Sequence, residues 1–429
     1  MILERALEWT ENHYRYSQVN LMSVFARAIS VVLIIMSTIV VSSAADWPVF
    51  RGPTRDGVSV ENDWTHQWPG GEPKQLFKVN VKPGFSCPVI HGQRLWTMGH
   101  AKGHDVVVCL NALTGKPIWS YEYPALPLGT VKPDYEGTRA TPTLDQGRLY
   151  TLSRDGKIFC FDATNGAIQW QADAAKDPGA TIPSWGFAGS PIVLDDLLIL
   201  NVGAAGLALD KSSGAIKWKS ANTASGYATP TVYQANGKPR MAIFGADVIT
   251  GLDPETGNKL WSVPWKTQYK INSAELIFHD GKLFASSAYN FGCALMDVST
   301  DQPKILWRNQ ELRNHYNSSV LRDGCLYGFD GNNILGQGLK CVDFATGQLK
   351  WNAPKPTWGN LILAGDRLII FSQSCDLIIA KASPEKYEEL AQCHPMGGTS
   401  WTAPVMANGC LYLRNTLGDL VALDLRKPK

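Results

Sequence analysis

Hydrophobic and polar positions alternate along most of this chain in short runs, and Asp, Asn and Gly break the runs at close intervals. The stretch from Ala140 to Trp170 is the clearest case. Ala140-Thr-Pro-Thr-Leu gives way to a turn at Gln146-Gly147, then to the alternating run Arg148-Leu-Tyr-Thr-Leu152. A second turn at Asp155-Gly156 precedes Lys157-Ile-Phe-Cys-Phe-Asp162, and a third at Asn165-Gly166 precedes Ile168-Gln-Trp170. Period-two alternation marks a half-buried strand, and Gly or Asn between two such runs supplies the conformation a hairpin turn needs. The pattern predicts four short antiparallel strands, the last ending on a Trp.

The same unit returns along the chain. Its closing phrase is an acidic or amide residue, a Thr-Gly-like turn, and a Trp. It runs Asn111 to Trp119, Asp162 to Trp170, Asp210 to Trp218, Asp253 to Trp261 and Asp343 to Trp351, with a looser copy, lacking the Gly, from Asp297 to Trp307. Self-similarity at a period of roughly 40–50 residues marks a repeat architecture. Eight units are counted, beginning near Cys87, Thr141, Ser190, Thr229, Ala274, Ser319, Leu361 and Ala403. The last runs out of chain after three strands, and Leu76-Phe77-Lys78-Val79 aligns with the missing fourth, Phe77 standing in the Trp slot. The expected fold is therefore all-β: an eight-bladed β-propeller of four antiparallel strands per blade, closed by an N-terminal strand completing the last blade. Unit seven is the poorest copy, with Leu390 where Trp is expected. Residues 46–73 are expected as an arm wrapping the propeller without joining a blade, and residues 74–429 as the propeller itself.

The first 45 residues follow a different pattern. Arg27 precedes an apolar stretch from Ala28 to Val41, followed by Ser43-Ala44-Ala45. A basic flank, a short apolar core and small residues before a cleavage point predict a signal peptide, cleaved after Ala45, with Met1 or Met22 as the start. The stretch is short for a membrane span, so no stable span is expected and the protein is predicted to be exported, periplasmic or extracellular. Forty basic side chains against thirty-eight acidic ones, with no basic stripe, argue against a nucleic-acid partner. The nine cysteines include no Cys-Cys and no CxxC. Cys109, Cys160 and Cys341 share one repeat position where other copies have Ala208 or Gly251, which points to small buried hydrophobes and not to a disulfide framework.

The repeats, with Asp46-Trp-Pro-Val-Phe-Arg-Gly-Pro-Thr-Arg-Asp-Gly57 ahead of them, resemble the exported PQQ-like β-propeller repeat family, and the opening segment resembles its planctomycete members. The resemblance spans Asp46 to Arg426. It implies an eight-bladed fold. The family holds quinoprotein alcohol dehydrogenases, which carry pyrroloquinoline quinone (PQQ) and Ca²⁺ in the propeller funnel, and non-catalytic propellers that assist outer-membrane protein assembly. Fold follows from such a resemblance more safely than function. The dehydrogenases' vicinal Cys-Cys and CxxCH are absent here, and Glu136, Glu275, Asn272 and Asp247 match no active-site motif of the family as Ca²⁺ ligands or base. No catalytic residue and no metal ligand is assigned; His100 and His104 lack a third ligand. The primary expectation is a non-catalytic binding or interaction scaffold of the cell envelope, with no cofactor. The alternatives are a PQQ- and Ca²⁺-dependent dehydrogenase and an assembly-factor-like propeller.

The connection leading into each blade carries the candidate site. Three residues before the first-strand Pro, or its equivalent, stand Phe85, Arg139, Ala188 (with Trp185 nearby), Tyr227, Asn272, Tyr316, Trp358 and Trp401, with His315 beside Tyr316. Flat rings and a few polar groups around a funnel suit a sugar, a quinone or an extended peptide. The expected ligand-binding rim is Phe85, Arg139, Trp185, Tyr227, Asn272, His315, Tyr316, Trp358 and Trp401. The expected partner is a protein, a carbohydrate or a small molecule bound by a monomer.

Overall fold

The turn that ends each third strand explains why the unit repeats. In the second copy the Asp162 carboxylate accepts the backbone N–H groups of Thr164 at 2.7 Å and Asn165 at 3.3 Å. Asp210 does the same for Ser212 and Ser213, and Asp253 for Glu255 and Thr256. Such a turn needs a left-handed residue to leave it, which Gly supplies without strain: Gly166 has φ +77°, Gly214 +76° and Gly257 +72°. A bulge follows in the outer strand, between Ile168 and Trp170 in the second copy. It aims the Trp at the neighbouring blade.

Each Trp then meets the next blade's turn. The indole N–H of Trp119 donates to Ala163 O at 3.1 Å, that of Trp170 to Lys211 O at 3.0 Å, and that of Trp218 to Pro254 O at 2.9 Å. The turn glycine of the next blade lies flat on the same ring. A Cβ on Gly166 would stand 2.7 Å from Trp119, and one on Gly214 2.6 Å from Trp170. Thr-Gly and Trp are thus two halves of one inter-blade contact. Where the next blade's turn lacks Gly the bond is absent: Trp261 donates instead to the hydroxyl of Tyr233 in its own blade.

The computed structural model describes residues 45–125 and 137–427; residues 1–44, which hold nearly all of the expected signal peptide, and Glu136 lie outside the described residues. Among the described residues there are eight sheets of antiparallel four-stranded blades, at 89–124, 143–173, 192–219, 231–264, 277–309, 320–353, 359–393 and 405–424. The eighth sheet takes its outer strand from Lys74–Asn80, which pairs antiparallel with Asp419–Asp424 and sets Phe77 opposite Ala422. Phe77 sits one step past a bulge, as the tryptophans do, and Gly115 of blade one packs on its ring. Closure by an N-terminal strand is what the repeat count predicted. Among the described residues no helix is long and apolar enough to cross a membrane.

Two expectations need correcting. In blade seven the Trp slot, opposite Ile379, holds Ala391; Leu390 is the bulged residue that the register skips. The arm also joins a blade. Val58–Ser59 pairs in parallel with Leu363 and Ala364, giving blade seven a fifth strand. The arm crosses from blade to blade: Trp47 bridges Ile90, Leu144 N–H donates to Pro48 O at 2.9 Å, and Arg51 donates to Ser319 O at 2.7 Å. Trp47 and Trp64 are buried, and the guanidinium of Arg367 lies 3.8 Å from the centre of the Trp64 ring. All nine cysteines are free and buried. Cys109, Cys160 and Cys341 oppose Trp119, Trp170 and Trp351, and burial pushes the thiols of Cys109 and Cys341 up to about 12.

Candidate functional site

The first strands crowd round the axis, and their backbone N–H groups at the top need acceptors. Neighbouring blades supply them in sequence. Cys87 N–H donates to the Thr141 hydroxyl at 3.0 Å, Thr141 N–H to the Ser190 hydroxyl at 3.0 Å, and Ser190 N–H to the Thr229 hydroxyl at 3.1 Å. Thr229 N–H then donates to both oxygens of Glu275, at 3.1 and 2.9 Å, and Glu275 N–H to the Ser318 hydroxyl at 3.0 Å. This belt runs from blade one to blade six. Four of its acceptors are hydroxyls and one is a carboxylate.

Above the belt lies a cavity of about 340 Å³. Its walls come from the connections into blades one to six and eight, from turns within blades five and six that carry Tyr289, Asn333 and Ile334, and from Phe50 of the arm. The rings form one chain around it. Phe85 stacks on Trp401 at 5.4 Å and 16°, Trp401 meets Tyr316 at 5.1 Å, Tyr316 meets His315 at 4.4 Å, and His315 meets Tyr289 edge-on at 5.1 Å. The Arg139 guanidinium lies 5.4 Å from the centre of the Phe85 ring. The Tyr227 hydroxyl accepts from Trp185 N–H at 3.4 Å.

Of the nine rim residues expected from the sequence, Phe85, Arg139, Trp185, Tyr227, His315, Tyr316 and Trp401 line this cavity. Asn272 and Trp358 do not. Asn272 is fully buried, its amide donating to Gly245 O and Ala246 O at 2.9 Å while its oxygen accepts from Ser287 and Thr267; it ties loops together. Trp358 is 1 % exposed and packs edge-on to the outside of Tyr316 at 4.8 Å. Beside His315 and Tyr316, Arg313 and Asn317 are structural: Arg313 pairs with Asp330 at 2.7 Å and Asn317 donates to Gly359 O. Several cavity residues were not among the expected rim positions, and Phe50, Tyr289 and Glu275 are the ones that carry a ring or a charge. Tyr289 occupies a turn that does not recur, and the repeat alignment counted unit five from Ala274, one residue short of the belt position.

Burial sets the electrostatics. Desolvation raises the Glu275 carboxyl to about 7, against the opposing hydrogen bonds from Thr229 and the charge of Arg51. Desolvation lowers His315 to about 3, so its imidazole is neutral, and neither ring nitrogen has a hydrogen-bond partner among the described residues. Burial lowers Arg139 only to about 10, so it stays charged near neutrality. The four residues weighed as Ca²⁺ ligands or base are not assembled. Asp247 pairs with Lys270 at 2.9 Å, Asn272 is committed to backbone groups, and Glu275 alone reaches the cavity; Glu136 lies outside the described residues. His100 and His104 end opposite strands of a hairpin, where His100 pairs with Asp105 at 2.7 Å and His104 is exposed. Among the described residues no group of three or more His, Cys, Asp or Glu side chains could hold a metal ion.

A propeller closed by its own N-terminal strand, with an aromatic cavity over its axis, defines the class of protein. The family model described as outer membrane protein assembly factor BamB matches residues 61–184 and 103–353, and the chain belongs to this family of PQQ-like β-propellers. It is 22% identical over 288 residues to the outer membrane protein assembly factor BamB of Yersinia pestis, covering 61% of this chain and 67% of that protein. It is 27% identical over 172 residues to the quinoprotein alcohol dehydrogenase PedH of Pseudomonas putida, covering 37% of this chain and 27% of the dehydrogenase. Among solved structures, BamB from Moraxella catarrhalis superposes with a TM-score of 0.61 at 16% identity, over 82% of this chain and 99% of that one. The quinohemoprotein alcohol dehydrogenase from Comamonas testosteroni gives a TM-score of 0.70 at 14% identity, over 90% and 82%. At these identities the structural likeness speaks for the fold alone.

Proposed function

We propose that this protein is an exported, non-catalytic propeller that binds a ligand in the axial cavity and serves as an interaction scaffold of the cell envelope. The observation that carries the reading is the cavity itself. It is concave, mostly aromatic and of the size that ligand sites occupy, about 300–1,000 Å³, with a few polar groups placed around apolar walls. Export is supported by the signal-like segment ahead of Asp46 and by the similarity to an outer-membrane assembly factor.

The similarity to PedH favours a second reading, a PQQ- and Ca²⁺-dependent dehydrogenase. The donor set does not fit it. Ca²⁺ takes six to eight oxygen ligands, and among the described residues Glu275 is the one carboxylate lining the cavity. Titration with PQQ and excess Ca²⁺, followed by tryptophan fluorescence and melting temperature, tests the choice. No saturable change is expected. Micromolar binding that raises the melting temperature by mass action would replace the scaffold reading with the dehydrogenase.

A further inference from the structure

We propose that the axial cavity takes a ligand bearing a protonated amine, its N–H donors on the Glu275 carboxylate and its apolar body among the rings. The inference rests on reading the cavity as a binding site. The belt supplies the first argument. A hydroxyl accepts the neighbouring N–H at Thr141, Ser190, Thr229 and Ser318, so the fold asks nothing of Glu275 that a Ser or Thr would not provide. The carboxylate is extra chemistry at a structural position.

The second argument is spare capacity. An ionised carboxylate offers about four acceptor sites, and among the described residues Thr229 alone donates to it, through an N–H shared between both oxygens and through its hydroxyl. Arg51, the cation whose charge bears on Glu275, spends its hydrogen bonds elsewhere, on the backbone carbonyls of Asp56 at 2.6 Å and Ser319 at 2.7 Å. Glu275 makes no ion pair among the described residues. A desolvated acceptor with no cation hydrogen-bonded to it is matched by a ligand that brings both donors and positive charge.

The walls fit the same ligand. Aromatic faces attract cations, and Arg139 already rests on Phe85. Arg139 enters from blade two and Glu275 from blade five, so the charged groups occupy different sides of the ring. A cavity of about 150 Å³ holds one benzene. At about 340 Å³ this one has room for a ring with a short amine-bearing chain.

The test uses two probes of one shape, 2-phenylethylamine and 2-phenylethanol, titrated calorimetrically into the whole protein at about pH 8 and about pH 5.5. The amine is expected to bind roughly tenfold more tightly than the alcohol at the higher pH, the difference between charge-assisted and neutral hydrogen bonds. That preference should vanish at the lower pH, where Glu275 is protonated, and in Glu275→Gln at both. The other titratable groups around the cavity are Arg51, Arg139, Tyr227, Tyr289, His315 and Tyr316. Burial raises Tyr227 and Tyr289, lowers His315 to about 3 and lowers Arg139 to about 10, so these four keep their charge state across the range. Gln retains an oxygen for Thr229 N–H, and the pH arm uses the unaltered protein. Equal binding of both probes at about pH 8, or a preference surviving in Glu275→Gln, overturns the amine assignment and leaves a binding cavity. Saturation by neither probe overturns the binding reading as well.

Discussion

Gly214 offers a direct measure of what holds one blade to the next. Its φ is +76°, and a Cβ there would stand 2.6 Å from the Trp170 ring. Gly147 is its natural control: φ is +78° in the first hairpin of blade two, with nothing within 4 Å of a Cβ. Gly147→Ala should cost only the left-handed strain of a non-Gly residue, about 1–2 kcal/mol. Gly214→Ala adds the displacement of a buried indole, and overpacking of this kind costs a further ~1–3 kcal/mol. The indole also stands to lose its hydrogen bond to Lys211 O. For a chain of this length one kcal/mol moves the melting temperature by on the order of 1 °C, so denaturant midpoints are the sharper assay. The decisive form is a double-mutant cycle with Trp170→Ala. Once the ring is gone, Gly214→Ala should cost no more than Gly147→Ala. Equal losses from the two glycine variants in the intact protein would refute the stacking account of the Thr-Gly-Trp unit.

Trp358→Ala should lower stability by about 3–5 kcal/mol, as large-to-small core changes do, while Trp185→Ala, at a side chain 37 % exposed, should leave the melt nearly unchanged; equal losses would redraw the cavity wall. Deleting the chain up to Asn80 removes the strand paired with Asp419–Asp424 and should leave an insoluble protein with an open sheet edge, whereas a soluble, fully folded product would refute ring closure. Glu275→Gln should be more stable than the parent above pH 7. The folded carboxyl titrates at about 7 against its ordinary 4.5, so its stabilising contribution is complete below pH 4.5 and lost as pH rises through 7. At about 1.4 kcal/mol per tenfold the gap reaches at most roughly 3 kcal/mol at high pH and closes in acid; a pH-independent gap would refute it.

The fold was legible because its contacts are local and repeated. An Asx turn, a left-handed Gly and a bulged Trp recur at fixed spacing, so Phe77 could be placed in the Trp slot of a strand more than 340 residues away from its partners. The same counting fails at Leu390, because the bulge gives the slot to Ala391. The parallel pairing of Val58–Ser59 left no trace in the pattern, since two residues held by the surface of blade seven carry no periodicity. At the site, reading the connections gave seven of the cavity-lining residues, but two misses have different causes: Trp358 shares the repeat position with Tyr316 and is buried instead of lining the cavity, whereas Asn272 lies one residue before that position, which Ser273 occupies in the cavity wall.

Glu275 shows where structural and functional demands separate. Around the belt, each side chain must accept one N–H, and a neutral hydroxyl does so without desolvating a charge. The fold therefore disfavours a carboxylate at that position by an amount that its raised proton affinity records. Removing the charge while keeping the acceptor leaves the belt intact, so whatever else changes reports on the cavity and not on the propeller. Gain of stability together with loss of amine selectivity in one variant would locate a function at a residue that the architecture alone would have filled with Ser or Thr.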